Sequence, residues 1–131
     1  MKKVAIIGGG ASSLIIADFL ASSFDVVIYE KEKSIGRKFL VAGKGGFNLT
    51  NEAKGENLTK KYTPFNFLDN ALNQFDSSKT RAWLNDLGIP TFIGSSGRIF
   101  PSKEVKPIEV LEAIRKNILM KKTKILTHHT F

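Results

Sequence analysis

The chain has 131 residues, 42% of them hydrophobic, with no cysteine and a formal net charge of +8. Such a length and apolar content suit a single domain spanning 1–131. The lack of cysteine removes thiol catalysis, disulfide redox chemistry and thiolate metal sites, and fits a reducing, cytoplasmic setting. No apolar run approaches the ~18 residues of a membrane span, so no membrane partner is expected. The glycines that interrupt the N-terminal apolar stretch argue against a signal peptide.

The first thirty residues organise the rest. Val4 to Ile7 is an unbroken apolar, mostly β-branched run, which predicts a strand buried on both faces of a parallel sheet. Gly8, Gly9 and Gly10 follow at once. Gly8 suits the tight turn out of the strand, and Gly10, without a Cβ, lets backbone approach a pyrophosphate. Ala11 to Ser22 reads as a helix, and the amides of Ala11, Ser12 and Ser13 at its positive dipole end are the expected phosphate donors. Ser13 stands where a third glycine is usual, and we read it as a tolerated small residue.

Val26 to Tyr29 is the second strand, and it ends in Glu30, twenty residues after Gly10. A carboxylate there can accept both hydroxyls of an adenosine ribose and repels a 2′-phosphate. Strand, glycine turn, helix, strand and acid together predict a dinucleotide site for FAD or NAD, not NADP. The alternative is a plain glycine-rich turn in an unrelated α/β domain.

Lys31 comes next, and then a stretch from Gly36 to Gly46 with four glycines and three positive charges. Arg37 and Lys38 can pair with pyrophosphate oxygens, the amides around Gly43, Gly45 and Gly46 can form an anion-binding nest, and Asn48 and Thr50 can hydrogen-bond a polar ring edge. A surface loop is the plainer alternative. Residues 52 to 62 read as an exposed polar connection. Thr63-Pro64 predicts the cap and first position of a helix carrying Phe65, Leu68, Leu72 and Phe75 on one face. Asp76 caps a further helix, Ser77 to Leu87, closed by Gly88, with Trp83 in its packed face. Thr91 to Ile93 and Arg98 to Phe100 flank Gly94-Ser-Ser-Gly97 as a hairpin with a four-residue loop.

A last helix opens at Val105-Lys106-Pro107 with Ile108, Leu111, Ile114 and Ile118 as its buried stripe. Lys124 to Thr127 is a third parallel strand. His128 and His129 would point to opposite faces of that strand, so they make no paired metal site. Most of the basic residues occur as scattered pairs without interleaved aromatics, so nucleic acid is not the expected partner, and part of the excess can steer an anionic dinucleotide.

Three stretches carry a resemblance: Gly8-Gly9-Gly10 with Glu30, GRKFLVAGKGGFNLTN from Gly36 to Asn51, and GSSGRIFP from Gly94 to Pro101. Together they resemble the BaiN-like, or YhiN-like, family of bacterial flavoproteins. The commoner signature resembles GRKxxxSGGGRCNxTN, from which this chain departs at Ala42, Lys44, Gly46 and Phe47. One branch, with an AGKGG-type loop and the same GSSGR turn, is more similar.

The resemblance implies the N-terminal part of an α/β, Rossmann-like FAD-binding domain. Its parallel sheet is incomplete and is interrupted by a helical and β-hairpin insertion at about 52–105. It implies FAD as cofactor, NAD(P)H as electron donor, a site role for Arg98, and an adenine contact near the end of the third strand. Catalytic residues and substrate stay open. So does the alternative of a non-catalytic module using NAD or FAD as a structural ligand. With no later strands to pair the free side of the first, the chain alone is expected to bind FAD weakly or not at all, to be inactive by itself, and either to self-associate through an open apolar edge or to be only marginally stable.

Overall fold

The computed structural model describes residues 1–42 and 47–131. They divide into two compact units, one of residues 1–46 and 106–131 and the other of residues 47–105.

The first unit is a three-stranded parallel sheet in the order β1 (Lys3–Ile7), β2 (Asp25–Tyr29), β6 (Lys124–Leu126). Helices α1 (Ala11–Leu20) and α6 (Pro107–Met120) complete two crossovers that step outward in the same direction. Right-handed connections of that kind bring both helices to one face of the sheet, and the pairing register matches it. Val4 lies opposite Val26, and Ile6 lies in line with Ile28 and Ile125. Together with Leu14 and Ala17 of α1 and Leu111, Ile114 and Ile118 of α6, the buried Val26 and Ile28 form the core of this unit. The short helix α2 (Arg37–Ala42) follows the loop after β2.

The other face of the sheet corrects the expectation of a first strand buried on both sides. In β1 alternate residues are exposed, Ile7 to 59%, because no described helix covers that face. Within the described residues β1 is also an edge strand, paired with β2 alone. Two further differences are local. Val110, not Ile108, joins the buried stripe of α6, and Ile108 at the helix start is 45% exposed. The third strand ends at Leu126, and His128 takes a left-handed φ of 59°, so the two histidines lie beyond the strand. Their amides turn back, His129 N–H donating to Glu30 O and His128 N–H to Glu32 O.

The second unit holds a small antiparallel sheet in the order β3 (Thr50–Asn51), β5 (Arg98–Pro101), β4 (Thr91–Ile93). The expected hairpin is there. Gly94 N–H donates to Arg98 O, and Gly97, at φ 73°, supplies the left-handed position of the loop. Helix α5 (Ser77–Asp86) starts at Asp76, whose carboxylate accepts from Lys79 N–H, and Gly88 follows its end at φ 78°. Buried Leu84, Ile89 and Ile99 lie between helix and sheet, with Leu58 from α3 (Glu56–Thr59). That helical turn interrupts what reads in sequence as an exposed connection.

The helix expected from Thr63 is not formed. Asn66 sits at φ 64°, which a right-handed helix cannot include, and Phe65 and Phe67 are 67% and 73% exposed. Helix α4 begins only at Asp69 and runs to Gln74. No helix among the described residues is long and apolar enough to cross a membrane.

One polar cluster ties the two crossover helices together. Asp18 of α1 is 4% exposed, and its Oδ1 accepts from Asn117 Nδ2 at 2.5 Å and Lys121 Nζ at 2.7 Å. Removing the carboxylate leaves the half-buried Asn117 amide without this acceptor, whereas Lys121, 39% exposed, can regain water. Asp18→Ala should therefore cost about 2 kcal/mol in urea unfolding, and Lys121→Ala, which leaves a buried carboxylate without its cation, at least as much. An unchanged midpoint in Lys121→Ala would show that the buried carboxylate does not need its cation.

Candidate functional site: a glycine-lined cleft at the carboxyl end of the sheet

At the carboxyl ends of β1 and β2 an open cleft of about 760 Å³ is lined by Gly8, Gly9, Gly10, Glu30, Lys31, Arg37 and Lys38. These seven are residues read from sequence as cofactor contacts. Among the described residues Glu32, Ser34, Gly36, Val41 and Ala42 also line it and were not among them. Glu32 carried a usable signal, a second carboxylate two positions after Glu30 and just ahead of the basic loop. Gly43, Gly45 and Gly46 lie outside the described residues. Asn48 and Arg98 belong to the second unit. There the Asn48 amide nitrogen donates to the carbonyls of Thr50 and Ile99, at 2.6 and 3.2 Å, and Arg98 pairs in register with Asn51.

The three glycines do different things. Gly8 holds a φ of 93°, which side chains rarely adopt, and its N–H donates to Tyr29 O at the strand end. Gly9 is a packing glycine. A Cβ there would lie 2.6 Å from Ile35 Cγ2 and 3.1 Å from Glu30 Oε2. Gly10 faces open space, with nothing within 4 Å of its Cβ position. It caps α1 with extended backbone and no side-chain hydrogen bond, and no acidic residue sits in the first turn. The first turn, Ala11, Ser12 and Ser13, thus carries neither an acidic side chain nor a side-chain cap on its amides.

Glu30 is fastened from two sides. Glu32 N–H donates to its Oε1 at 2.8 Å and Gly9 N–H to its Oε2 at 2.6 Å. Both bonds favour the charged form, the Glu32 amide most, and with Lys31 nearby they hold the carboxyl below its usual 4.5. Gly36, at φ 69°, donates to Gly9 O at 2.8 Å, and its missing Cβ leaves room for Leu111 of α6. Arg37 Nη1 lies 2.6 Å from Glu32 Oε2.

Two outcomes follow from this geometry. Gly9→Ala should destabilise the fold by about 1–3 kcal/mol through overpacking against Ile35, while Gly10→Ala, at φ −79° and in open space, should leave the melting temperature nearly unchanged. Comparable thermal shifts for the two would refute this division of labour. Because the native pKa of Glu30 is depressed, its contribution to stability is complete above the ordinary value and fades as pH falls below about 4.5 toward the native value. Glu30→Gln should flatten that part of a pH–stability profile, and an unaltered acid limb would show that Glu30 does not shape it.

The HI0933-like protein Rossmann domain matches residues 2–131. The chain is 35% identical over 130 residues to the 3-dehydro-bile acid delta(4,6)-reductase of Clostridium scindens, covering 97% of this chain and 31% of that protein. It therefore spans about a third of the length of that curated relative. The crystal structure of Thermovibrio ammonificans THI4 is similar in fold, with a TM-score of 0.62 at 18% identity over 96% of this chain and 38% of the other. On the family match over nearly its whole length, the chain belongs to the HI0933-like Rossmann-domain family.

Proposed function

We propose that this chain is the FAD-binding portion of a flavin-dependent oxidoreductase, with NAD(P)H as electron donor and a substrate not yet defined. The observation that carries the reading is the pairing, in one cleft, of a helix N-terminus left without a side-chain cap behind Gly10 with a held carboxylate at Glu30. A dinucleotide needs both ends: donors for its diphosphate and acceptors for its ribose hydroxyls. Gly10 and the amides of Ala11 to Ser13 would hold the diphosphate, and Glu30 the ribose. Each Glu30 oxygen keeps a lone pair beyond its backbone bond. Arg37, Lys38 and Lys31 line the same cleft. The first unit holds thirteen basic against six acidic residues, a net of +7, which favours capture of an anionic ligand. Bound FAD would supply the hydride chemistry, with the protein contributing position and electrostatics. The reductase named among the relatives supports that class.

The same reading keeps β1 unpaired on its outer side, and we extend it to self-association through that edge. A monodisperse monomer in light scattering would remove that extension. For the main reading, FAD titration of the parent chain and Glu30→Ala is the test. The substitution should weaken binding by ~1–3 kcal/mol, the cost of unpaired hydroxyl donors. Unchanged affinity would take Glu30 out of the site. Bound flavin that NADH does not reduce, in a protein carrying the rest of the relatives' length, would favour a non-catalytic module instead.

A further inference from the structure

Arg37 is held by Glu32 in the cleft that Glu30 also lines. The Glu32 carboxylate engages its Nη1 at 2.6 Å, while the Glu32 backbone N–H bonds Glu30 Oε1 at 2.8 Å. One residue therefore fastens the ribose carboxylate through its backbone and a guanidinium through its side chain. The two side chains of the ion pair are 56% and 44% exposed, and pairs that wet add little to stability. Their consequence is local charge. A guanidinium in the same cleft as the ribose acid is a group that can accept a 2′-phosphate, and here a second carboxylate pairs with it.

Resting on the dinucleotide reading of the cleft, we propose that Glu32 is a specificity-determining residue. By occupying Arg37 it denies that cation to a 2′-phosphate and restricts the cleft to nucleotides with a free 2′-hydroxyl. Glu30 repels the phosphate directly, and Glu32 removes the counter-charge that could offset that repulsion. The two acids act on the same group by different routes, so losing the second should relax selectivity even with the first intact.

The test compares 5′-ADP with 2′,5′-ADP on the full chain by calorimetry or ligand-detected NMR. Glu32→Gln keeps the backbone N–H that holds Glu30 and removes only the charge on Arg37. The ratio of 2′,5′-ADP affinity to 5′-ADP affinity should rise about tenfold, and the rise should shrink with added salt. Adding Arg37→Met to Glu32→Gln should return the ratio to the parent value or below, with Lys31 and Lys38 unchanged throughout. A change of fold alone would shift both ligands together and leave the ratio where it was. Binding of 5′-ADP with an unchanged ratio in Glu32→Gln overturns the inference alone. No 5′-ADP binding by the parent chain overturns the dinucleotide reading and the inference with it.

Discussion

The Glu30 carboxylate is the point at which the pieces of the first unit meet. It accepts from Gly9 N–H across the glycine turn and from Glu32 N–H in the loop beyond β2, so one side chain closes two loops against each other. Charge-assisted bonds of this kind are stronger than neutral ones, and the one from Gly9 spans 21 positions. Without them the turn after β1 and the loop after β2 would be joined mainly by the bond from Gly36 N–H to Gly9 O. The shape of the cleft depends on that carboxylate before any ligand arrives.

Close approach then dictates the glycines around it. Gly9 must lack a side chain because Ile35 and Glu30 fill the space, and Gly36 because Leu111 of α6 does. These are packing demands. Gly10 has no such neighbour, and its openness leaves the end of α1 free for a ligand. Helix α6 takes part in both the core and the cleft. Its Leu111 supports the loop at Gly36, and its Asn117 and Lys121 clamp Asp18 of α1. A segment far along the chain thus holds both walls of the first crossover.

The second unit is built on different physics. It is a short antiparallel sheet in which a tight turn joins β4 to β5, with buried Ile99 in the central strand. Gly97 at φ 73° and the cap from Asp76 to Lys79 set its turn and its helix start. Arg81 fastens α5 to β4, its Nε and Nη2 donating to Thr91 Oγ1 and Thr91 O. Nearly all of the chain's positive excess lies in the other unit.

What sequence alone determined here was whatever rests on local chemistry. Strand, glycine turn, helix, strand and Glu30 could be read in order because each step has a short-range cause: a β-branched apolar run, a run of glycines, and the twenty-residue spacing from Gly10 to Glu30. The hairpin around Gly94–Gly97 and the helix begun by Asp76 were legible for the same reason. Tertiary structure decided the rest. No local pattern says that Asn66 adopts a left-handed φ and forbids the helix that Thr63-Pro64 suggests, or that Val110 replaces Ile108 in the core. The single-sided burial of β1 depends on where α1 and α6 pack. That Arg37 faces Glu32, and that Asn48 spends its amide on carbonyls of its own sheet, depends on distances between segments. Periodicity reports which way a side chain points from its own backbone; only the folded chain decides what stands opposite it.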